Sequence, residues 1–384
     1  MTPDHDVVLY GATGFVGELT AAYLAEHAGG RWAMAGRNAA KLAAVRDRIG
    51  IDVPIIVADA DDPASLRRLA GSARVVATTV GPYALHGEPL VAACAGTGTD
   101  YIDLTGEAEF VDRVYVRHHA TAERSGARLV HACGFDSIPH DLGAQFTVGH
   151  LPSDLPISMR GYVRTNAAVS GGTFASLVTG LSRVRPTLSA HKERVAVEPR
   201  SSGRRTRARA GRAGYDRAIG SWVLPFPSLD PQIIERSARA LPEYGPDFTY
   251  EHFFAVPHAM TAGAVAAGIG GIFVLAQLPP TRRLLLRARP AGTGPDEQRR
   301  ARSWFTVRFV ATAGDERVVT EVAGGDPGYG ETAKMFAESA LCLARDELPA
   351  TAGQVTTAVA MGATLRARLQ RAGISFEVRS PAAT

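Results

Sequence analysis

With 384 residues, 46% of them hydrophobic and 21% charged, the chain has an ordinary globular composition and room for two domains around a large core. Its three cysteines, Cys94, Cys133 and Cys342, form no C-x-x-C pair. That argues against a disulfide framework or a metal site and for a reduced, cytoplasmic setting. The pI of about 9.1 would suit a nucleic-acid binder, but the basicity is local. Residues 183–217 hold eleven Lys/Arg against three acids, and the rest of the chain is net acidic. No aromatic interleaving or recognised module accompanies these charges, so no nucleic-acid partner is expected. The stretch reads as a solvated basic loop, with a lid or a dock for an acidic partner as the alternative.

No basic segment followed by an apolar one precedes Val7, so no signal peptide is expected. From Val7 the chain reads VVLYGATGFVGELTAAYL: an apolar run, three glycines three residues apart, then a helical pattern through His27. A strand that ends in glycines and runs into a helix is the phosphate-binding turn of a dinucleotide fold. Gly11 is expected to allow the tight turn, Gly14 the close approach of a pyrophosphate, and Gly17 the contact of helix with strand. Ala12, Thr13, Phe15 and Val16 complete the loop. The helix N-terminus adds free N–H groups and a partial positive charge.

The next strand runs into AGRNAAKL. An acid at its end would accept from a ribose 2′-hydroxyl, but Arg37, Asn38 and Lys41 stand there instead. A guanidinium can hold a 2′-phosphate bidentately. A charge-assisted bond of about 1.5–3 kcal/mol corresponds to a preference for NADPH of roughly ten- to a hundredfold. VPIIVADADD then forms a strand ending near Asp59 and Ala60, where an adenine would lie. ARVVATTVGPYALHG, TDYIDLTGE and ARLVHACGFDSIPHDLG follow, with helical patterns between them.

This alternation predicts an α/β fold: an N-terminal Rossmann-type, doubly wound parallel sheet over residues 1–150. Ligands in such sheets gather at the C-terminal strand ends. That places Thr79, Val80, Gly81, Pro82, Tyr83, Thr105, Gly106, Glu107, Asp136, Ser137 and His140 around one crevice, with the nicotinamide expected near TTVGPY. No tyrosine is followed four residues on by lysine, and neither G-x-S-x-G nor G-K-S/T occurs. The usual short-chain dehydrogenase mechanism, a nucleophile elbow and a P-loop are thereby excluded.

The stretches YGATGFVG, AGRN, TTVGPY, GTDYIDLTGE and CGFDSIPHDLG resemble the saccharopine dehydrogenase-like family. SGGTFASL, GPDFTYEHF, the run from SWFTVRF to LARDEL, and QVTTAVAMG resemble most closely its mycobacterial trans-acting enoyl reductases. The resemblance covers nearly the whole chain; the basic region and the tail after Glu377 are its least diagnostic parts. It implies an NADPH-dependent reductase that saturates a C=C bond in lipid biosynthesis. The acyl chain would be carried on a polyketide synthase carrier domain. Two alternatives stay open: a saccharopine-reductase-like enzyme acting on an amino-acid adduct, and a non-catalytic NADPH-binding, lipid-associated protein.

Beyond residue 150 the rhythm changes. Residues 151–325 are expected to form an α+β substrate or oligomerisation domain with an antiparallel sheet, containing the hairpin SWFTVRFVATAGDERVVTEVAGG. Residues 326–384 are expected as helices packing back on the nucleotide domain. Within the middle region, Ala259–Leu278 is twenty residues without a charge, followed by PPTRRLLLRAR. It is read first as a buried or homodimer-contact helix. A peripheral contact with lipid or the inner face of the plasma membrane, and a true span, remain as alternatives.

Reduction of a conjugated thioester passes through an enolate, which needs a hydrogen-bond donor and then a proton. By position the candidates are Tyr83, Ser137, His140 and Thr173. Each has a structural alternative, such as a packing ring for Tyr83 and a helix-start hydrogen bond for His140. Asp136 reads as the cap of the helix starting near Ile138, not as an acid at neutral pH.

Overall fold

The runs Val7–Tyr10 and Trp32–Gly36 are buried along their whole length, as strands covered on both faces by helices must be. The structure is a computed structural model that describes residues 3–167, 171–199, 203–288 and 294–379. Its first part alternates β1 (His5–Tyr10), α1 (Phe15–His27), β2 (Trp32–Gly36), α2 (Ala39–Ile49), β3 (Ile55–Val57), α3 (Pro63–Gly71) and β4 (Ala73–Thr78). Then come α4 (Tyr83–His86), α5 (Glu88–Thr97), β5 (Asp100–Asp103), α6 (Ala108–Ser125), β6 (Arg128–Val130) and α7 (Ile138–Val148).

The second part runs β7 (Ile157–Thr165), α8 (Gly171–Ser182), α9 (Val184–Val197), β8 (Arg205–Arg209), β9 (Gly214–Asp216), β10 (Ser221–Pro225), α10 (Asp230–Ala240) and β11 (Asp247–Val256). It continues through α11 (Ala259–Gln277), α12 (Pro279–Ala288), α13 (Glu297–Ala301), β12 (Phe305–Ala313) and β13 (Glu316–Gly324). The chain ends with α14 (Gly330–Arg345), β14 (Gly353–Val355), α15 (Thr357–Ala360), α16 (Gly362–Arg371) and β15 (Ser375–Arg379).

Strands β3, β2, β1, β4, β5, β6 and β14 form a parallel seven-stranded sheet in that spatial order. The order reverses between β1 and β4, the place where such sheets open a ligand crevice. The remaining eight strands form a second sheet. The β12–β13 hairpin and the β7–β12 pair are antiparallel, but β11 runs parallel to β7 and to β8. The second sheet is therefore mixed, not antiparallel as its hairpin suggested. Helix α7 joins the two sheets. Phe309 of β12 comes so close to it that a Cβ at Gly143 would lie 2.4 Å from the ring. One buried cluster, from Val7 and Leu9 through Ile138 and Leu142 to Phe305, Phe309 and Phe376, runs from the first sheet into the second.

Three expectations need correction. The basic stretch 183–217 is not a loop in its described residues: it contributes α9, β8 and β9. Several of its arginines meet acids from elsewhere in the chain. Arg183 grips Glu109 of α6 at 2.6 and 2.7 Å. Arg194, 3% exposed, meets Asp112 at 2.7 Å and also pairs with Glu198. The uncharged stretch is the helix α11, but it is not buried: Ala262 and Ala276 are its two buried residues. The C-terminal part holds more than helices. While α14 packs on α1 and on β1, β4 and β5, β14 extends the first sheet and β15 pairs with β13 of the second. Short strands completed by distant partners carry little local signal.

Candidate functional site

The turn between β1 and α1 is built around backbone that tolerates no side chain. Gly11 has φ +94°, and a Cβ there would lie 2.7 Å from Val80. A Cβ on Gly17 would lie 2.2 Å from the carbonyl of Gly11, so helix and turn touch. Gly14 differs: its φ is −82°, and among the described residues its Cβ would meet only that same carbonyl, at 3.5 Å. Thr13 and Gly14 are exposed, Phe15 and Val16 half-buried, and Ala12 buried. Gly14 caps α1 without a side chain, so the first amides of the helix open toward this lip. Thr79 Oγ1 fastens the turn to the end of β4 by donating to Gly11 O at 3.0 Å. Phe15 meets Tyr329 edge-on at 4.9 Å, and the guanidinium of Arg300 on α13 lies 5.7 Å above its ring.

At the end of β2, Arg37, Asn38 and Lys41 are exposed. Among the described residues Arg37 makes no ion pair. Asn38 Oδ1 accepts from Lys41 N at 2.9 Å and caps α2. Asp59 Oδ1 accepts from Asp61 N at 3.1 Å, and Ala60 sits half-buried beside it. Burial raises the Tyr10 phenol first of all; Asp59 raises it further and Arg37 lowers it, so both charges face this strand end.

The ends of β4 and β5 are tied together. Glu107 accepts from the amides of Tyr83 and Ala84 at 3.1 and 2.9 Å. The Tyr83 hydroxyl donates to Thr78 O at 3.1 Å and accepts from Leu104 N at 3.2 Å. Gly81 and Pro82 remain exposed and Val80 half-buried.

Behind this edge lies a buried polar cluster. Asp230 Oδ1 accepts from Ser137 Oγ at 3.1 Å, and its Oδ2 accepts from Ser228 Oγ at 2.6 Å. His140 Nδ1 and His252 Nε2 stand 3.4 and 3.5 Å from the same carboxyl, and Tyr250 Oη is 2.8 Å from His252 Nδ1. Burial pushes His140 down to about 3 and His252 well below the ordinary imidazole value, so both rings are neutral. The donor atoms of His140, Asp230 and His252 lie within 4.8 Å of one another.

Asp136 stands at the front of this cluster. It is half-buried, and its Oδ2 would lie 3.5 Å from a Cβ on exposed Gly106 at the end of β5. Among the described residues its carboxyl makes no hydrogen bond. Burial, and then the charge of Asp230, raise it to about 7; burial likewise holds Asp230 at about 7.

Residues 7–130 match the family described as the saccharopine dehydrogenase NADP binding domain. A Mycobacterium tuberculosis relative is 38% identical over 412 aligned residues covering 97% of each chain. A protein of Mycobacterium ulcerans named trans-acting enoyl reductase is 37% identical, again over 97% of each chain. The chain belongs to the saccharopine dehydrogenase-like family. Among solved structures, apo saccharopine dehydrogenase (L-Glu forming) from Saccharomyces cerevisiae shares the fold, with a TM-score of 0.58 and 13% identity over 97% of this chain and 99% of that one.

This family member is an NADPH-dependent oxidoreductase, and its first domain fits the cofactor. The open face at Gly14 is a space that a Cβ would enter, and it lies before the unpartnered amides of α1. Arg37, exposed at the end of β2 and without an ion pair among the described residues, is placed where such a cation could meet a 2′-phosphate.

Other expected positions have partners within the protein. The Asn38 side chain is spent on a helix cap, and the Tyr83 hydroxyl is committed to two backbone groups. Ser137 and His140 are buried against Asp230. The side chain of Thr173 lies outside the described residues. Asp136 does not act as a side-chain cap: Ser137 occupies the N-cap of α7, and no side chain bonds there. Its charge environment, set by α10, gives no sign in the local sequence. The same holds for Arg300, which reaches Phe15 of the β1–α1 turn from far along the chain.

Proposed function

We propose that this oxidoreductase is an enoyl reductase, saturating the C=C bond of an acyl thioester carried on a polyketide synthase carrier domain. The observation that supports this reading most is a protonatable carboxyl, Asp136, beside Gly106 at the strand-end crevice. The names of the relatives point the same way.

NADPH, when bound, supplies a hydride to the β-carbon. The chain's own residues then have two tasks. The turn Gly11–Gly17 and Arg37 bind and orient the dinucleotide. Asp136 is the acid that delivers a proton to the α-carbon of the resulting enolate. Its value of about 7 leaves it part protonated at neutral pH, which suits general acid catalysis. Asp230, braced by Ser137 and Ser228, keeps Asp136 from ionising early.

The test follows NADPH consumption with 2-enoyl thioesters on coenzyme A and on a carrier domain, beside amino-acid and oxo-acid pairs. Turnover of the enoyl thioesters with a saturated product supports the reading. Turnover of the amino-acid pairs alone, or tight NADPH binding without any turnover, overturns it.

A further inference from the structure

Helix α11 carries no charge over 19 residues and has a mean hydropathy of 1.9 in its most apolar window, yet 11% of that window is buried. A helix that is apolar around its whole circumference is ordinarily buried in a core or in lipid. Here Met260 is 88% exposed, Val274 63% and Leu278 59%. The patch continues onto α12, where Leu284 is 67% exposed. Soluble chains rarely leave so continuous an apolar surface uncovered.

Two further observations say what covers it. The first is charge. Between Glu251 and Asp296 the sequence contains no acid but has arginines at 282, 283, 287 and 289. Arg282, Arg283 and Arg287 lie on α12, directly after the apolar helix, and among the described residues none of the three meets a carboxylate. An apolar face edged by unpaired cations complements an anionic lipid surface.

The second is topology. At 1.5 Å per residue the helix is about 28 Å long, enough to cross a bilayer. However, β11 before it and β12 after it both pair with β7, so both ends of the excursion return to one sheet. A crossing would need a second crossing to come back, and α12, with 10 residues, is too short for that. The helix can therefore lie in the interface but cannot span it. It is held to the body of the protein through α8, where Gln277 Nε2 donates to Leu181 O at 2.9 Å, and against β10 and β11.

We infer that α11 and α12 form a docking face by which this protein rests in the surface of an anionic bilayer, α11 in the acyl boundary and the α12 arginines at the headgroups. The inference stands independently of the reductase reading.

Flotation with vesicles of phosphatidylcholine alone and of phosphatidylcholine with phosphatidylglycerol tests it. The full chain should float with the anionic vesicles, less so at high salt, and stay behind with the neutral ones. Changing Arg282, Arg283 and Arg287 together to Ala should lower the partition coefficient about a hundredfold, at roughly fivefold per arginine. Phe273→Asp with Val274→Asp should abolish flotation. Both variants should keep NADPH affinity, which shows that the nucleotide domain is folded. Absence of flotation with anionic vesicles overturns the inference, as does flotation indifferent to both variants. So does a dimer in light scattering that Phe273→Asp with Val274→Asp dissociates, because the face would then be covered by a second copy.

Discussion

A carboxyl poised at about 7 changes its charge in the range where enzymes work, and Asp136 does so at the edge of the crevice. If it is the proton donor, kcat should fall as pH rises through about 7, because the acid must be protonated to act. Asp136→Asn should lower kcat by about 10²–10⁴ while NADPH affinity, read by fluorescence titration, stays unchanged. Asp230→Asn removes a negative neighbour, so Asp136 should ionise earlier and the kcat profile should shift toward acid. Stability has its own sign. The folded value of Asp230 is raised above the ordinary one, so its contribution is complete below about pH 4 and is lost as pH climbs through about 7. Melting temperature should decline across that window, and less steeply in Asp230→Asn. Arg37 offers a cleaner single-residue prediction. Arg37→Asp should weaken NADPH by roughly ten- to a hundredfold and NADH far less; equal weakening of both would remove Arg37 from the 2′-phosphate. The place of Arg37 at the end of β2 was legible because it follows the glycine turn by a fixed distance; its 2′-phosphate role is what the variant tests. Asp136 was misread as a cap because the burial and the Asp230 charge that set its value belong to the folded chain, not to its neighbours in sequence.

At the scale of elements, the β1–α1 turn separates folding from binding. Gly17→Ala puts a Cβ against the Gly11 carbonyl, where nothing can yield except the backbone. It should lower the melting temperature as well as weaken the cofactor. Gly14→Val puts its side chain into open space at an ordinary φ. It should leave the melt nearly unchanged and abolish NADPH binding by filling the seat of the pyrophosphate, and retained affinity would show that the phosphates lie elsewhere. The elements of the first sheet were legible because buried parallel strands are continuous apolar runs separated by helical patterns. The basic stretch was not, because α9 is held by Glu109 and Asp112 of α6 and those acids give no sign in its own sequence. Helix α11 was recognised as a helix, but its exposure in the chain was not. An uncharged run has the same appearance in sequence whether protein or lipid covers it.

For the whole molecule, the sequence invites a division at 150 and again at 325, yet the packing runs across both points. The cluster that begins with Val7 under the first sheet continues into Phe305 and Phe309 of the second. The last part of the chain gives β14 to one sheet and β15 to the other. Neither sheet can lose its share of that core without exposing apolar surface of its partner, so the two should unfold together. The tryptophans allow this to be tested: Trp32 lies in β2 of the first sheet and Trp222 in β10 of the second. Calorimetry should give one transition, and variants keeping either tryptophan alone should melt at the same temperature. Because NADPH binds the folded state, a concentration a hundredfold above its Kd should stabilise the molecule by about 2.7 kcal/mol. If the sheets are one cooperative unit, that shift must appear at Trp222 as fully as at Trp32, although the cofactor rests on the first sheet. A shift confined to Trp32 would mean that the second sheet melts by itself and that the shared core does not couple the cofactor site to the rest of the protein.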